Sequence, residues 1–208
     1  MIRKTRNKKY IFLGWFFLFM QLVVLWFNFE ASRYNVFYWF CNHTPLMFSL
    51  AFFYGKDRII KAIINLGFLP QILWTVDFLM KIFFGFYTFG FTRYVFDDAL
   101  GIYVLVPILI HMFSTNVAFI ATIKKKVDLK ILMYSVIYVV LLYGITLVYS
   151  AQEINVNCVY EMCGAENYTP VWYTSLWPLI VFVFVLLPTQ GIQYFFYWWF
   201  AKKKKHRR

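Results

Sequence analysis

Residues 10–29 read YIFLGWFFLFMQLVVLWFNF and carry no charged side chain. A helix needs roughly 20 apolar residues to cross the hydrocarbon core of a bilayer, so this stretch predicts a transmembrane helix. The apolar run is too long for a cleaved signal peptide, and no clear small-x-small cleavage site follows it before Arg33. We therefore expect it to remain in the protein as a signal anchor.

Five further stretches share this length and apolar character. They lie at residues 35–54, 59–79, 99–123, 129–150 and 173–200. Backbone that spans lipid must be helical, because each unpaired amide costs several kcal/mol there. The chain shows no internal repeat, linker or second compositional block. The sequence therefore predicts an all-α fold, with residues 1–208 forming one polytopic membrane bundle of six transmembrane helices.

The composition excludes a disordered chain, a coiled coil and an ordinary soluble domain. Of the 208 residues, 62% are hydrophobic, 24% aromatic and 14% charged, whereas a soluble domain is about half apolar and a quarter charged. A soluble globule of this size would not hide so much Phe, Tyr and Trp from water. The sequence also lacks the CxxC, HExxH, Walker and GxSxG motifs of well-known enzyme classes.

The formal net charge of +12 is distributed unevenly between the two sides of the predicted bundle. All but three of the 21 Lys and Arg residues fall at the termini or around the connections after the second and fourth helices; the exceptions are Arg33, Lys81 and Arg93. Because basic connections stay in the cytoplasm, both termini are predicted to be cytoplasmic. The charge then indicates contact with membrane lipids, above all anionic inner-leaflet lipid, and not with nucleic acid.

The expected location is a cell membrane. The bias towards Ile, Phe, Lys and Asn favours a bacterial plasma membrane, and the endoplasmic reticulum is the alternative for a eukaryotic chain. On the outer side lie two long loops, residues 80–98 and 151–172. The first is rich in Phe, Tyr and Gly, which suits the membrane interface. The second carries Cys158 and Cys163, which are compatible with a disulfide in an oxidising compartment.

The second predicted helix contains a run of polar residues, Cys41-Asn42-His43-Thr44, followed by Pro45. Polar and ionisable side chains inside a membrane span are functional candidates by default. At about 100° per residue, Cys41 and Thr44 share a helix face, whereas His43 points nearly the opposite way. Pro45 removes a backbone hydrogen bond, so we expect a distorted turn. The alternative is that Cys41 packs as a small hydrophobic residue.

The third predicted helix places Gln71 and Thr75 on one face and Asp77 near the outer end. Asp77 has two interpretations: an interfacial carboxylate close to Lys81, or a carboxylate that orients His43 inside the bundle.

The fourth predicted helix places His111 about 18 Å deep, near the midplane, with Ser114 and Thr115 on the same side. A histidine there is expected to face the bundle interior and to have a partner, and the alternative role is an interhelical hydrogen bond. In the sixth helix, Gln190 and Gln193 accompany a proline and are expected to be structural.

The order of these features resembles the YwaF-like family of small integral membrane proteins. The resemblance runs from about Val36 to Trp177 and is carried by short motifs. They are Tyr38-Trp39-Phe40-Cys41, Gly67 to Gln71 with Thr75-Val76-Asp77, Ile108-Leu109-Ile110-His111, Asn155-Val156-Asn157 and Pro170-Val171-Trp172-Tyr173. That family is similar to an animal ether-phospholipid acyltransferase and, more distantly, to androgen-induced membrane hydrolases of fatty-acid esters.

The resemblance implies a reaction at lipid acyl esters. The acyltransferase branch uses a membrane cysteine with a later membrane histidine, which implies Cys41 as nucleophile and His111 as base. The hydrolase branch uses a threonine with a histidine, which implies Thr44 instead. The chain departs from the family pattern in the additional cluster Asn42-His43-Thr44 and in Ile110, where the family has a polar residue.

We therefore predict a lipid acyltransferase or acyl-ester hydrolase in which Cys41 and His111 react and Asp77 orients His43. The predicted catalytic residues are Cys41, His43, Thr44, Asp77 and His111, and the predicted substrate-binding residues are Asn42, Gln71 and Thr75. Asn42 or Gln71 would supply a donor to the oxyanion. On straight helices His111 lies roughly 9 Å deeper than Cys41, so a tilt or a kink at Pro45 must bring them together.

The competing interpretation is a non-catalytic membrane protein that binds lipid, transports a solute or serves in assembly. In that case the polar cluster lines a small cavity or locks the helices together. No cofactor is expected, and two membrane histidines with one carboxylate fall short of a typical metal site.

Overall fold

The computed structural model describes residues 7–30, 38–97 and 101–205; most of these residues are helical, and there is no strand among them. The helices are α1 (Lys8–Glu30), α2 (Phe40–Phe53), α3 (Asp57–Phe84), α4 (Arg93–Asp97), α5 (Gly101–Thr122), α6 (Leu129–Tyr149) and α7, which comprises Tyr173–Val181, Phe182–Leu186 and Leu187–Lys205. Short 3₁₀ turns at Gln152–Ile154, Val156–Cys158 and Glu166–Tyr168 occupy the loop before α7.

Five helices are long and apolar enough to cross a membrane: α1, α3, α5, α6 and α7. Among the described residues, these helices coincide with five of the six predicted spans. The described part of the second span, α2, has 14 residues and rises about 21 Å, which is less than the roughly 30 Å of a hydrocarbon core. The predicted start of that span falls in residues 31–37, outside the described residues.

Two helices contain π-helical segments, in which the backbone bonds reach one residue further than in an α-helix. In α5 the segment is Leu109–Ser114, and in α7 it is Phe182–Leu186. The second segment ends two residues before Pro188. The first contains His111 and is important for the site described below.

One end of the bundle gathers the basic segments. The Tyr10 hydroxyl at the start of α1 donates to Asp57 at the start of α3. Asp57 also pairs with Lys125, which follows α5, at 3.1 Å. Lys124 lies 5.3 Å from the ring centre of Phe200 near the end of α7. We call this end, formed by the start of α1, the α2–α3 turn, the α5–α6 connection and the end of α7, the basic end.

An ion pair reinforces the basic end. Arg58 at the start of α3 donates to Asp128 in the α5–α6 connection at 2.8 Å. The hydrogen bond from the Arg58 guanidinium lowers the pKa of the Asp128 carboxyl below its ordinary value.

The α1–α2 pair forms the largest aromatic core. Phe17 of α1 is fully buried, and its ring stacks on Phe52 of α2 with ring centres 5.5 Å apart. Close approach is possible because Gly14 has no side chain: a β carbon there would lie 2.6 Å from Phe53. The Ser49 hydroxyl donates to the Gly14 carbonyl at 2.8 Å, so α2 is held against α1 along its length.

Candidate functional site

The outer loop after α6 fixes the start of α2, and therefore the position of Cys41. The Asn157 side chain accepts a hydrogen bond from the Phe40 backbone N–H at 2.7 Å and donates to the Tyr38 carbonyl at 3.1 Å and to Thr146 at 3.2 Å. Asn157 has a φ of 57°, a left-handed conformation that asparagine tolerates better than most residues. Trp39, at the N-cap position of α2, makes no capping hydrogen bond with its side chain, so Asn157 caps the helix from the outer loop.

A side chain of α1 bonds to the backbone of the α2 turn that contains Pro45, where the sequence predicts a distortion. The buried Gln21 amide donates to the Asn42 carbonyl at 3.0 Å and accepts from the Leu46 N–H at 3.0 Å. In a regular helix those two backbone groups would bond to each other. Gln21 therefore bridges the backbone of α2 immediately after Cys41.

Cys41 and Thr44 differ in their availability for chemistry. Cys41 is a half-buried free thiol that packs with Val24 of α1 and with Val106 and Ile110 of α5. Thr44 is fully buried, and its hydroxyl donates to the Phe40 carbonyl at 2.7 Å. A hydroxyl committed to the backbone is a poor nucleophile, so the geometry favours Cys41.

His43 ties α2 to α6. Its Nε2 lies 2.6 Å from the Tyr138 hydroxyl oxygen, and that hydroxyl in turn donates to the Met47 sulfur. The ring also packs edge-on against Phe40. This is an interhelical role.

The expected orientation of His43 by Asp77 is not formed. Asp77 is fully buried and accepts four hydrogen bonds from the following loop: from the N–H groups of Phe89, Gly90 and Thr92, and from the Thr92 hydroxyl, at 2.7–3.1 Å. The alternative pairing with Lys81 is not formed either. The Lys81 ammonium donates to the Gly85 carbonyl instead. Asp77 makes neither contact because four donors of the outer loop already bond to its carboxylate oxygens.

His111 is anchored within α5 and stacks on α3. Its Nδ1 donates to the Pro107 carbonyl at 2.8 Å, and its half-buried ring stacks on Trp74 of α3 with centres 4.5 Å apart and an interplanar angle of 17°. A carbonyl oxygen only accepts, so Nδ1 carries a proton and Nε2 of the neutral ring has the free lone pair. The expected partner of His111 is therefore a backbone carbonyl and an aromatic ring.

Gln71 and Thr75 share a face, as predicted, and both meet the π-helical segment of α5. Gln71 Oε1 accepts from the Thr115 N–H at 3.2 Å and from the Ser114 hydroxyl at 3.3 Å. The Thr75 hydroxyl donates to the Gln71 carbonyl at 2.7 Å and lies 3.5 Å from the His111 carbonyl. A π-helical segment shifts the backbone register and leaves groups at its ends in need of partners, and these two side chains supply them.

The predicted site residues thus divide among several interfaces. Gln71, Thr75 and His111 lie together between α3 and α5. Cys41 packs against the apolar cluster of Val24, Val106 and Ile110, and no hydrogen bond joins it to His111 in the part of the chain that the structure describes. Asn42 contributes its backbone carbonyl, which accepts a hydrogen bond from the Gln21 side chain of α1.

Sequence reasoning missed a buried polar network at Lys61. This lysine, assigned from the sequence to a cytoplasmic connection, is 1% exposed inside α3 and donates to Gln193 at 3.2 Å. The Gln193 amide donates to Asn65 at 2.6 Å, and Asn65 donates to Ser135 and Gln190. The network confirms the structural role of the α7 glutamines. The sequence feature that indicates this network is the four-residue spacing of Lys61 and Asn65, which places both on one helix face.

The outer loop contains a disulfide between Cys158 and Cys163. The described residues contain no group of three His, Cys, Asp or Glu side chains placed to hold a metal ion. Comparisons with protein families, with curated proteins and with solved structures find no match to the chain.

Proposed function

We propose that the chain is a multi-pass membrane protein with six spans and both termini in the cytoplasm. Helices α1 and α3 both begin at the basic end, so the intervening residues, including α2, must return the chain across the bundle. Cationic segments remain on the cytoplasmic side. The basic end would then rest against anionic lipid headgroups of a plasma membrane.

Reporter fusions at the two termini test this topology. Alkaline phosphatase fused after residue 208 is expected to be inactive in bacterial cells, and a fluorescent protein fused at either terminus is expected to be bright. An active phosphatase at either terminus would refute the six-span arrangement.

We further propose that the protein transfers or hydrolyses acyl groups of membrane lipid esters, with Cys41 as nucleophile and His111 as base. The observation that carries the proposal is the hydrogen bond from His111 Nδ1 to Pro107, which leaves Nε2 as the proton acceptor of a neutral ring stacked on Trp74. Half-buried Cys41 packs against the apolar cluster that includes Ile110, the residue that precedes His111. Both groups retain partial exposure to lipid.

The reaction balances with these two groups and a lipid ester. His111 Nε2 takes the thiol proton while the Cys41 sulfur forms a bond to the ester carbonyl carbon. The tetrahedral intermediate collapses, the alcohol oxygen leaves, and His111 returns the proton to it. Water or a second lipid alcohol then attacks the thioester and releases the Cys41 thiol. Since an apolar setting disfavours a thiolate, the base is required for this step.

The other predicted residues support the structure in this proposal. Thr44 is not the nucleophile in this proposal, because its hydroxyl donates to the Phe40 carbonyl. His43 joins α2 to α6. Asp77 organises the outer loop. Gln71 remains at the reacting interface and supplies a donor to the oxyanion.

Mass spectrometry of the protein in nanodiscs tests the reaction. With a phospholipid that carries an alkyne-labelled acyl chain, wild type is expected to gain a hydroxylamine-sensitive acyl adduct at Cys41. Cys41→Ala and His111→Ala should both abolish the adduct. The matched control is His43→Gln, which changes another membrane histidine and should retain it. An adduct that persists at the same rate in His111→Ala would sink the proposal.

The second candidate is a non-catalytic bundle, and one observation favours it. Many buried polar side chains join helices, as the Lys61–Gln193–Asn65 network does. Folded wild type that forms no adduct with any lipid ester, and turns over none, would support this candidate.

A further inference from the structure

Two polar side-chain atoms between α3 and α5 are buried and have no hydrogen-bond partner: Nε2 of Gln71 and Oγ1 of Thr115. Gln71 is 2% exposed, and Thr115 is fully buried. A buried donor without a partner costs about 1–3 kcal/mol, so such atoms are rare in folded proteins. Two of them at one interface indicate that a further acceptor belongs there.

Gly67 brings these two atoms together. A β carbon on Gly67 would lie 2.7 Å from Thr115 Oγ1 and 3.4 Å from Gln71 Nε2. The two atoms are therefore no more than about 6 Å apart, and a single oxygen that accepts two hydrogen bonds of ~2.9 Å spans up to about 5.8 Å. The third neighbour of that point is the ring of Phe40, the residue before Cys41.

The free Thr115 hydroxyl contrasts with other hydroxyls in the membrane helices. Ser114, Thr122 and Ser135 each donate to the backbone carbonyl four residues earlier, which is the usual solution for Ser and Thr in helices. Thr115 would use the carbonyl of His111, but it makes no such bond. Its proton is therefore available to a ligand.

We propose that Gln71 Nε2 and Thr115 Oγ1 together bind the carbonyl oxygen of a long-chain acyl ester. The inference rests on the function proposed above and adds to it a donor pair for the oxyanion. As the Cys41 sulfur bonds to the carbonyl carbon, the carbonyl π electrons move to oxygen, and two hydrogen bonds stabilise that negative charge. The electrons return to re-form the carbonyl when the alcohol leaves.

Binding to an unreactive protein tests the donor pair separately from the reaction. Cys41→Ala in nanodiscs is titrated with methyl oleate labelled with ¹³C at the carbonyl carbon, and the carbonyl resonance is followed by NMR. Hydrogen bonding should shift this resonance downfield. Thr115→Val in the same background should abolish the bound signal, and Thr115→Ser should restore it. The matched control is Thr122→Val, since that buried hydroxyl of the same helix is already bonded to Ala118.

The two proposals fail in different ways. A bound carbonyl signal that is equal in Thr115→Val and Thr122→Val, or absent throughout, overturns the donor pair. A Thr115-dependent signal combined with no acyl adduct in wild type leaves the donor pair standing and overturns the reaction. Where the adduct forms, Thr115→Val should slow it about 100-fold, with Thr115→Ser close to wild type. An unchanged rate in Thr115→Val contradicts the inference.

Discussion

The buried carboxylate of Asp77 leads to a sharp prediction about the outer loop. Asp77 accepts hydrogen bonds from Phe89, Gly90 and Thr92, although 12 to 15 residues separate it from these donors. In Asp77→Asn one carboxylate oxygen becomes an NH₂ group, which faces donors and not acceptors. We expect the loop to open while the membrane helices remain folded.

The magnitude follows from which donors are buried. The Thr92 N–H and hydroxyl are buried, whereas the backbone N–H groups of Phe89 and Gly90 are closer to water and find replacement partners there. The carboxamide keeps one oxygen, which can accept from either the Thr92 pair or the Phe89–Gly90 pair, so two donors lose their acceptor. At about 1–3 kcal/mol for each buried donor, the loss is at most roughly 6 kcal/mol. Thr92→Val removes only the hydroxyl and should cost about 1.5 kcal/mol, near the lower end for a bond to a charged group.

Hydrogen exchange of the protein in nanodiscs measures this loss. A local destabilisation of about 3 kcal/mol raises the exchange rate of the residue 89–92 amides roughly 100-fold. Glu153→Gln, an exposed carboxylate in the other outer loop, should leave those amides unchanged. If Asp77→Asn exchanges like wild type across residues 89–92, the assignment of Asp77 to the loop is refuted.

Three further changes test other contacts. Lys61→Met should leave the unfolding midpoint unchanged or raise it in a denaturant titration, because it removes a buried ammonium that has only a neutral amide partner. Gly67→Ala should cost about 1–3 kcal/mol by crowding Thr115, and Thr115→Ala in the same chain should recover much of the loss. Asn157→Ala should cost about 2 kcal/mol and speed amide exchange at Phe40, since the cap on α2 is lost.

Hydropathy predicts the long helices because membrane spans must satisfy their own backbone and present apolar side chains to lipid. Local rules also predict the distortion at Pro45 and the shared face of Gln71 and Thr75. Each of these features depends on residues within one or two helical turns. The repair of the Pro45 turn by Gln21 was beyond such rules, because Gln21 belongs to a different helix.

The wrong expectations for Asp77 and Lys61 have one cause: both side chains bond to partners that are distant in the sequence. Asp77 is tied to a loop that Gly90 shapes with a φ of 81°, and nothing at position 77 itself indicates that loop. A charge near a predicted helix end is normally solvated, so the sequence places Lys61 in a cytoplasmic connection. Its burial depends on Gln193, which lies 132 residues away in the chain. Long-range polar partners are set by helix packing, which hydropathy does not specify.

The distribution of satisfied and unsatisfied groups is the strongest reason to place chemistry between α3 and α5. In the Lys61 network, most amide groups meet a protein partner, as expected where polar side chains serve only to join helices. At the α3–α5 interface, Gln71 Nε2 and Thr115 Oγ1 are buried without a hydrogen-bond partner. A purely structural interface gains nothing from this arrangement, because each unpaired buried group lowers stability. The proposed binding of a lipid carbonyl would supply the missing acceptor for both groups.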